Sequence, residues 1–306
     1  MKPQITVMSG LPASGKSTYA KQLAQEINAV VLSSDAIRYE LFGDETDQKH
    51  NQKVFQELHR RTKEYLKSGR NAICDATNIS SKRRRAFLNE LKKIDCTKNC
   101  VIMATPYKQC LDNNRSRERQ VPERVIERMY RKWQTPHWFE GWNNIWIEYW
   151  DDKHFVYPED VADSLLDFDQ QNPHHTLTLG EHLWKTFQLC DDENFNYHDS
   201  YEILNACLMH DCGKPFCKTF KTVKGELDKI AHYYNHEHVS GYETLFLIGG
   251  YIANTINASA LVTWHMQPYY FERDNNEKLR NKYKKIWGEN FYSKIMCLHE
   301  ADKMAH

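Results

Sequence analysis

The sequence has no excess of one charge, no paired cysteines and no long apolar run. Lysine plus arginine and aspartate plus glutamate both number 41, so any nucleic acid must be held by a local basic patch. The nine cysteines are scattered without a zinc-type or secretory pattern. With neither a signal peptide nor a long apolar run, we expect a reduced, cytoplasmic protein without a membrane partner.

A phosphate-binding loop is the most specific motif in the chain. Two glycines four residues apart are followed by Lys16 and Ser17, between an apolar run at residues 5–8 and an amphipathic helix. Such a loop directs backbone N–H groups and a helix N-terminus at an anion. Lys16 would contact the phosphates, and Ser17 would ligate Mg²⁺. The residues expected to bind ATP or another nucleoside triphosphate with its Mg²⁺ are Gly10, Ser14, Gly15, Lys16, Ser17 and Thr18.

Further polar residues follow the next predicted strands. Asp35 and Arg38 lie one helical turn apart after the apolar run 29–32, which suits a general base and a phosphate clamp. A helix cap with a surface ion pair is the alternative. Asp75 ends the run 71–75 and suits either the outer shell of Mg²⁺ or the ordering of the attacking nucleophile. The alternation of strand, loop and helix predicts a parallel sheet with helices on both faces.

Two basic segments lie in the same half of the chain. Arg115, Arg117 and Arg119 precede Pro122, which is well placed to start a helix, and they suit a lid over the transferring phosphoryl group. The run 82–85 opens another helix and is either a solvated face or a contact for a phosphodiester backbone.

Four of these segments, taken in order, resemble the 5′-hydroxyl polynucleotide kinases of phage and bacterial end-repair enzymes. They are residues 10–17, 34–38, 75–78 and 115–122. The resemblance implies an α/β P-loop kinase domain, which we place at residues 1–150. It also implies that Asp35 is the general base, that Arg38 holds the phosphate beside the 5′-OH and that the lid arginines contact the nucleotide. Which lid arginine has which role stays open.

Five of the eight tryptophans lie between residues 133 and 150. Exposed indoles build stacking platforms for single-stranded bases. A buried core is the favoured interpretation, because aromatic side chains dominate cores and interfaces. The segment 151–171 then turns acidic and polar, and we predict that it is a linker between two domains.

Histidine and carboxylate residues recur along the helical second half. The series is His182, His210, Asp211, His236, His265 and Asp302. Imidazole nitrogens and carboxylate oxygens together suit Mn, Fe, Co, Ni or Zn. An adjacent His-Asp pair at one buried position also calls for a cation that neutralises the aspartate. The series therefore predicts a site for one or two divalent transition metals.

The same series resembles the HD phosphohydrolase superfamily over about residues 172–306, with residues 208–215 similar to its core motif. The resemblance implies an all-α domain with a catalytic metal centre. Its primary metal would be ligated by His182, His210, Asp211 and Asp302. His236 and His265 would complete a second metal site or hold the substrate phosphate, and Lys214 would contact a phosphate oxygen. The metal would activate a water molecule and screen the phosphate.

Together, the two resemblances imply a bifunctional RNA end-healing enzyme with the kinase first. The kinase would phosphorylate 5′-OH ends of RNA or DNA, and the HD domain would process 2′,3′-cyclic phosphate or 2′-phosphate ends for a downstream RNA ligase. One alternative is a small-molecule or nucleoside kinase fused to a nucleotide phosphohydrolase, and another is a kinase fused to a non-catalytic HD sensor. The oligomeric state, including a homo-oligomer, stays open.

Overall fold

Two units make up the fold in the computed structural model, which describes residues 2–47, 49–173, 176–193, 197, 200–248, 250–273 and 275–305. The first unit contains Met1–Ile126 and Pro136–Asp152. The second contains Glu127–Thr135 and Lys153–His306. Within the described residues, no helix combines the length and the apolar character that a bilayer crossing requires.

A five-stranded parallel sheet forms the centre of the first unit. Its strands are β1 (Gln4–Ser9), β2 (Ala29–Ser33), β3 (Asn71–Asp75), β4 (Thr97–Ala104) and β5 (Asn144–Tyr149). They lie in the order β2-β3-β1-β4-β5, and every pair is parallel. Ile5, Ile73 and Ile102 are completely buried, because helices cover the sheet and remove these side chains from water. The predicted parallel α/β fold is confirmed for this part of the chain.

Helices connect the strands of this sheet. They are α1 (Lys16–Glu26), α2 (Ser34–Phe42), α3 (Asn51–Lys67), α4 (Ser81–Glu90), α5 (Tyr107–Arg115), α6 (Glu123–Tyr130) and a 3₁₀ turn (Trp138–Glu140). Each parallel crossover returns the chain to the amino edge, so the loops that follow the strands share the carboxyl edge. Because β1 lies between β3 and β4, the loop after β1 is flanked by the loops after those two strands. Open α/β sheets bind their ligands at this edge.

The tryptophans between residues 133 and 150 differ in how deeply they are buried. Trp133 and Trp142 are buried, and Trp146 packs against an apolar cluster of the first unit. Trp150 is 44% exposed. The core interpretation therefore applies to three of these tryptophans, whereas the side chain of Trp150 reaches the surface.

The segment 151–171 is not a linker for most of its length, because residues from Lys153 onward belong to the second unit. Pro158 starts a short helix, α7 (Pro158–Asp163), whose Ala162 is completely buried in an apolar cluster of the second unit. Val156 forms a parallel bridge with Leu247. The polar composition of this segment predicted a linker, but a helix of six residues needs few apolar side chains to pack. The proline does not interrupt the helix, because proline fits the first helical turn.

Helices dominate the rest of the second unit. They are α8 (Leu179–Cys190), α9 (Tyr201–Met209), α10 (Lys214–Cys217), α11 (His236–Glu243), a 3₁₀ turn (Thr244–Phe246), α12 (Ile252–Trp264), α13 (Gln267–Arg273) and α14 (Glu277–Met304). Helix α8 begins with a capping box, in which the side chains of Thr178 and Glu181 satisfy each other's backbone N–H groups. Helix α14 bends at Gly288, whose φ is +77°.

An antiparallel hairpin departs from the all-α expectation for this half. Strand β6 (Thr219–Lys221) pairs with β7 (Leu227–His232) through a turn in which Gly225 has a φ of +85°. The hairpin lies in the chain between α10 and α11. Sequence reasoning missed it because the two short strands are mostly exposed and polar, so they lack the alternation of apolar residues that marks a strand.

Candidate nucleotide site and metal centre

A tight loop of residues 10–15 joins β1 to α1. A Cβ atom on Gly10 would lie 2.8 Å from Oγ of Ser14 and 3.1 Å from Cβ of Met103, so only glycine fits without a shift of its neighbours. Gly15 has a φ of +88°, in the left-handed region that favours glycine. Helix α1 starts at Lys16, and its N-terminus therefore lies at the end of the loop, where an anion is stabilised.

The ammonium group of Lys16 lies inside this loop. It donates to the carbonyl oxygen of Leu11 and to Oγ of Ser14, the latter at 3.2 Å. Burial lowers the pKa of Lys16 from its usual 10.5 against the opposing effect of Asp75, and the charge of Arg117 lowers it further. A phosphate in the loop would offset this cost of burying the charge, so the site favours an anionic ligand.

Ser17 and Asp75 supply oxygen ligands beside the loop. Oγ of Ser17 donates to Oδ2 of Asp75 at 2.7 Å. Strand β3 ends at Asp75 and pairs directly with β1, which explains why the two residues meet across 58 positions of sequence. A hydroxyl and a carboxylate are the hard oxygen donors that Mg²⁺ prefers, so the residues fit this ion.

Asp35 lies between two arginines at the end of β2. Nη1 of Arg38 donates to one carboxylate oxygen at 2.6 Å, and Nη1 of Arg119 donates to the other at 3.1 Å. Arg38 also donates to Oδ1 of Asn51 at 3.0 Å, and Arg119 to the carbonyl oxygen of Glu45 at 2.9 Å. The side chain of Asp35 is still 47% exposed, so a substrate hydroxyl can reach it.

The structure distinguishes the three lid arginines, which the sequence left equivalent. Arg119 contacts Asp35, and the charge of Arg117 acts on Lys16. Arg115 is 56% exposed and is occupied by Asp112 at 3.0 Å and by Glu123 at 2.8 Å. No spacing rule separates these arginines, because their roles depend on how the loop before α6 folds over the sheet edge.

Three further side chains lie at or near the loop and the Asp35 pair. The side chain of Arg38, predicted to hold an acceptor phosphate, is only 5% exposed and binds protein groups. Thr18, predicted to bind the nucleotide, is exposed on the first turn of α1. Trp150 lies beside the loop, because a Cβ atom on Gly15 would be 3.9 Å from its Cζ3. This indole offers a flat surface to a base, and the sequence did not distinguish it from its four neighbours.

Six buried side chains converge in the second unit as two sets of three. The first set is His182, His210 and Asp302, and the second is Asp211, His236 and His265. Within each set the ligand atoms lie within 4.8 Å of one another. The six residues come from α8, from the segment that follows α9, from the start of α11, from the end of α12 and from α14. All six were singled out from the sequence.

Asp211 connects the two sets. One carboxylate oxygen lies 3.6 Å from Nε2 of His182 and 3.5 Å from Nε2 of His210. The other lies 2.9 Å from Nε2 of His236 and 3.5 Å from Nε2 of His265. A carboxylate with one oxygen toward each set has the arrangement of a ligand shared between two cations.

The histidine rings face the centre with the same nitrogen. Nδ1 of His210, His236 and His265 lies 2.7 to 2.8 Å from a backbone carbonyl oxygen, so we infer that Nδ1 carries the proton and Nε2 presents a lone pair. The Nε2 atoms of His182 and His210 are only 3.1 Å apart, and those of His236 and His265 are 3.3 Å apart. Two facing lone pairs repel unless a cation or proton lies between them, so these residues fit divalent metals.

Charged and hydroxyl groups surround the ligands. Burial raises the pKa of Asp211, but the ammonium group of Lys214 and the nearby imidazoles outweigh burial and hold the pKa well below 3.8. Lys214 lies 2.6 Å from Asp211 and donates to Gln170 at 2.8 Å, so it is buried beside a ligand. Tyr269 donates to Oδ2 of Asp302 at 2.9 Å. No motif marks Gln170 or Tyr269, because only tertiary folding brings them here.

Among the residues that the structure describes, His232 and His238 do not join either set. His232 lies 2.9 Å from Asp228 and stacks on Tyr234. His238 lies 3.7 Å from Glu237. His174 and His175, which the sequence left undecided between ligand support and surface, lie outside the described residues.

The first unit has the parallel-sheet α/β fold of P-loop kinases. Residues 5–136 match the family described as "AAA domain", which covers less than half of the chain. Over 144 residues the chain is 28% identical to the L-seryl-tRNA(Sec) kinase of Methanococcus maripaludis. This match covers 45% of the chain and 56% of the relative, so the chain spans little more than half of the relative's length.

Two solved structures are similar to part of the chain. Kti12 of Chaetomium thermophilum in complex with ADP-AlF3 is 18% identical, with a TM-score of 0.41, and the match covers 49% of this chain and 90% of that one. A chain of the Pnkp1/Rnl/Hen1 RNA repair complex is 24% identical, with a TM-score of 0.36, and the match covers 42% of each chain.

Proposed function

We propose that the first unit phosphorylates the 5′-hydroxyl end of a polynucleotide with a nucleoside triphosphate. The observation that carries this proposal is the placement of Asp35 on the same sheet edge as the P-loop, with an arginine on each carboxylate oxygen. An accessible carboxylate beside a phosphate-binding loop is suited to accept the proton of an attacking hydroxyl. The two arginines restrict its orientation, which favours in-line attack.

The other residues of the site supply charge and position. Lys16 and Arg117 would stabilise the negative charge that spreads over the transferring phosphoryl group. Ser17 and Asp75 would hold Mg²⁺, which neutralises charge on the donor phosphates. Arg38 acts through Asp35 in this proposal, because its guanidinium is buried and bound to protein groups.

The proposal assigns a metal-dependent phosphohydrolase of the HD type to the second unit, with 2′,3′-cyclic phosphate or 2′-phosphate ends as substrates. Its support is the pair of ligand sets that share Asp211. Divalent Mn, Fe, Co, Ni or Zn would supply an activated water and screen the phosphate. The backbone carbonyls behind the imidazoles and the hydroxyl of Tyr269 keep the ligands oriented without help from the substrate.

These two activities together would heal both ends of a broken RNA. The first unit would leave a 5′-phosphate and the second would clear the 3′ end, which are the termini that an RNA ligase needs. A balanced net charge agrees with an enzyme that holds only a few nucleotides near an end.

A second candidate acceptor is a hydroxyl on a smaller group or on an aminoacyl-tRNA. The observation that favours it is the 28% identity to a kinase named for seryl-tRNA. The same carboxylate, Asp35, would serve as base for any hydroxyl. For the second unit, the alternative is a sensor that binds a nucleotide without turnover, and the complete ligand sets argue for catalysis instead.

A two-ended assay tests the proposal. An RNA with a 5′-OH and a 2′,3′-cyclic phosphate is incubated with ATP and Mg²⁺ or Mn²⁺, with the wild type, Lys16→Ala and Asp211→Ala. We expect Lys16→Ala to lose 5′ phosphorylation by about 10²–10³-fold, the cost of removing one charge-stabilising donor, and to keep 3′-end processing. Asp211→Ala should show the reverse. If neither end changes in the wild type, competition between seryl-tRNA and small hydroxyl compounds identifies the acceptor.

A further inference from the structure

A basic groove of about 470 Å³ runs along α4 in the first unit. Its cationic side chains are Lys82, Arg85 and Lys92 from the helix region and Lys98 from β4. Asn89 also lines the groove. Positions 82, 85 and 89 are separated by three or four residues, so they share one face of α4, and Lys92 follows in the turn after the helix. The groove is therefore a continuous row of positive charge and not a random cluster.

The four cationic side chains of the groove are not neutralised by carboxylates of the protein. None of them forms an ion pair with any described residue. Glu140 is the single carboxylate among the lining residues, and it is neutralised by Arg84 through contacts of 2.7 and 2.8 Å. Both side chains of that pair are at most 1% exposed, so Glu140 does not cancel the charge of the groove.

The neighbouring helix α3 provides an internal contrast. Its Arg60 and Arg61 share Glu57, and Arg61 also binds Glu40. Its Lys63 lies 2.8 Å from Glu90. These cations of α3 are thus paired within the surface, whereas the four groove cations Lys82, Arg85, Lys92 and Lys98 remain available to an external anion.

Arg85 adds a second observation that indicates a ligand. Its Nε atom is buried and has no hydrogen-bond acceptor among the described residues. A buried donor without a partner is unfavourable, and an acceptor oxygen that enters the groove would satisfy it. Arginine is also the side chain best suited to phosphate oxygens.

The groove begins near the nucleotide site. Helix α4 starts three residues after Asn78, whose carbonyl oxygen accepts a hydrogen bond from Ser9 at 3.2 Å, immediately before the P-loop. Lys98 lies near the amino end of β4, at the opposite sheet edge. From Lys82 to Glu90, the last residue of α4, the helix axis extends about 12 Å, which corresponds to about three to four nucleotides of one strand.

We propose that this groove binds the phosphodiester backbone of the single-stranded acceptor on the 3′ side of the nucleotide that is phosphorylated. The proposal rests on the kinase function proposed above, because it concerns the body of that substrate. Phosphate contacts position a strand without reading its sequence. The groove would therefore increase the number of nucleotides that the enzyme contacts, and any base preference would come from other residues.

Charge reversal at Lys92, with Lys93→Glu as the matched control, tests this proposal. Lys93 is exposed and adjacent in sequence but does not line the groove. Binding of a single-stranded dodecanucleotide is measured across salt concentrations, with phosphorylation of a 5′-OH dodecanucleotide and trinucleotide. We expect Lys92→Glu to weaken dodecanucleotide binding about tenfold at low salt and to lower the slope of log K against log salt by about 1. Lys93→Glu should change neither.

The two proposals fail in different ways. If the wild type phosphorylates both oligonucleotides and Lys92→Glu binds and phosphorylates the longer one like Lys93→Glu, the groove assignment is wrong while the kinase function stands. If no oligonucleotide is phosphorylated, the kinase function is wrong, and the binding comparison still decides whether the groove holds a polynucleotide. Trinucleotide phosphorylation by Lys92→Glu within about twofold of wild type excludes a folding defect.

Discussion

The candidate anion site of the first unit uses one continuous loop, whereas the candidate metal centre of the second unit combines six side chains from five separate segments. In the loop, backbone N–H groups and a helix N-terminus supply the positive electrostatic potential that stabilises an anion, and all of these groups belong to residues 10–17. In the candidate metal centre, only side chains would supply the ligands, and they range along the sequence from His182 to Asp302. A local site is specified by a motif, but a dispersed one is specified by the packing of helices.

The two sites also differ in how far their buried charges and lone pairs are compensated by protein groups before a ligand binds. Lys16 is buried next to Asp75 and loop oxygens, so its charge is partly compensated before any ligand arrives. The metal centre places imidazole lone pairs 3.1 and 3.3 Å apart, so it is unfavourable without a cation. We therefore expect the second unit to depend on its ligand for stability and the first to depend on it less.

The largest effect is expected from the shared ligand of the metal centre. Asp211→Asn should remove both metals, because each carboxylate oxygen faces one ligand set, and phosphohydrolase activity should fall by at least about 10³-fold. Asp302→Asn belongs to one set and should leave one metal bound. Metal content per chain measures the difference. Equal metal loss in both variants would contradict a shared role for Asp211, and retained kinase activity controls for folding.

The buried ion pair between Arg84 and Glu140 lies outside the P-loop motif. Breaking it tests whether the nucleotide site depends on residues beyond that motif. Arg84 binds Glu140 and also donates to the carbonyl oxygen of Asn78 at 2.7 Å, beside the Asp75 turn. Arg84→Met should destabilise the first unit by about 3–5 kcal/mol, because Glu140 is left charged and buried. Urea unfolding followed by loss of kinase activity measures it. The double variant with Glu140→Gln should recover much of this loss, and a change below about 1 kcal/mol in the single variant would show that the pair is unimportant.

Metal addition should separate the stabilities of the two units. A divalent transition metal at about 100 times its Kd stabilises the folded second unit by about 2.7 kcal/mol, provided that the unfolded chain does not bind it. For a unit of this size, the corresponding rise in Tm is about 5–10 °C. Calorimetry with and without a chelator measures it, and Mg²⁺ alone should shift neither transition by a comparable amount. A chelator that leaves both transitions unchanged would contradict a resident metal.

The smallest effect compares two arginines of the same loop. Arg119→Ala removes a charged hydrogen bond to Asp35, and kcat/KM for the hydroxyl acceptor should fall about tenfold. Arg115→Ala should stay within about twofold, because its two ion pairs are exposed. Steady-state kinetics with saturating ATP distinguish them, and the opposite ranking would reverse the roles that the geometry assigns.

The parts that could be predicted follow from periodicity and spacing. The strands β1, β2 and β3, the P-loop and all six residues of the candidate metal centre were identified from sequence, because apolar runs, glycine spacing and the order of histidines and aspartates are local or ordered signals. The hairpin β6–β7 and the folded segment 153–171 were missed. Both consist of short polar elements whose stability comes from contacts with distant residues, such as Val156 with Leu247.

The sequence by itself determined the α/β character of the first half, the loop that cradles an anion and the identity of the ligand side chains. Only the tertiary fold determines that Asp211 faces both ligand sets, that Arg119 rather than Arg115 contacts Asp35, and that the groove cations Lys82, Arg85, Lys92 and Lys98 form no ion pair with a described residue. The physical reason is the range of the interactions. Backbone conformation and helix periodicity depend on neighbours a few residues away, whereas charge pairing and ligand geometry depend on side chains that meet across tens to more than a hundred positions.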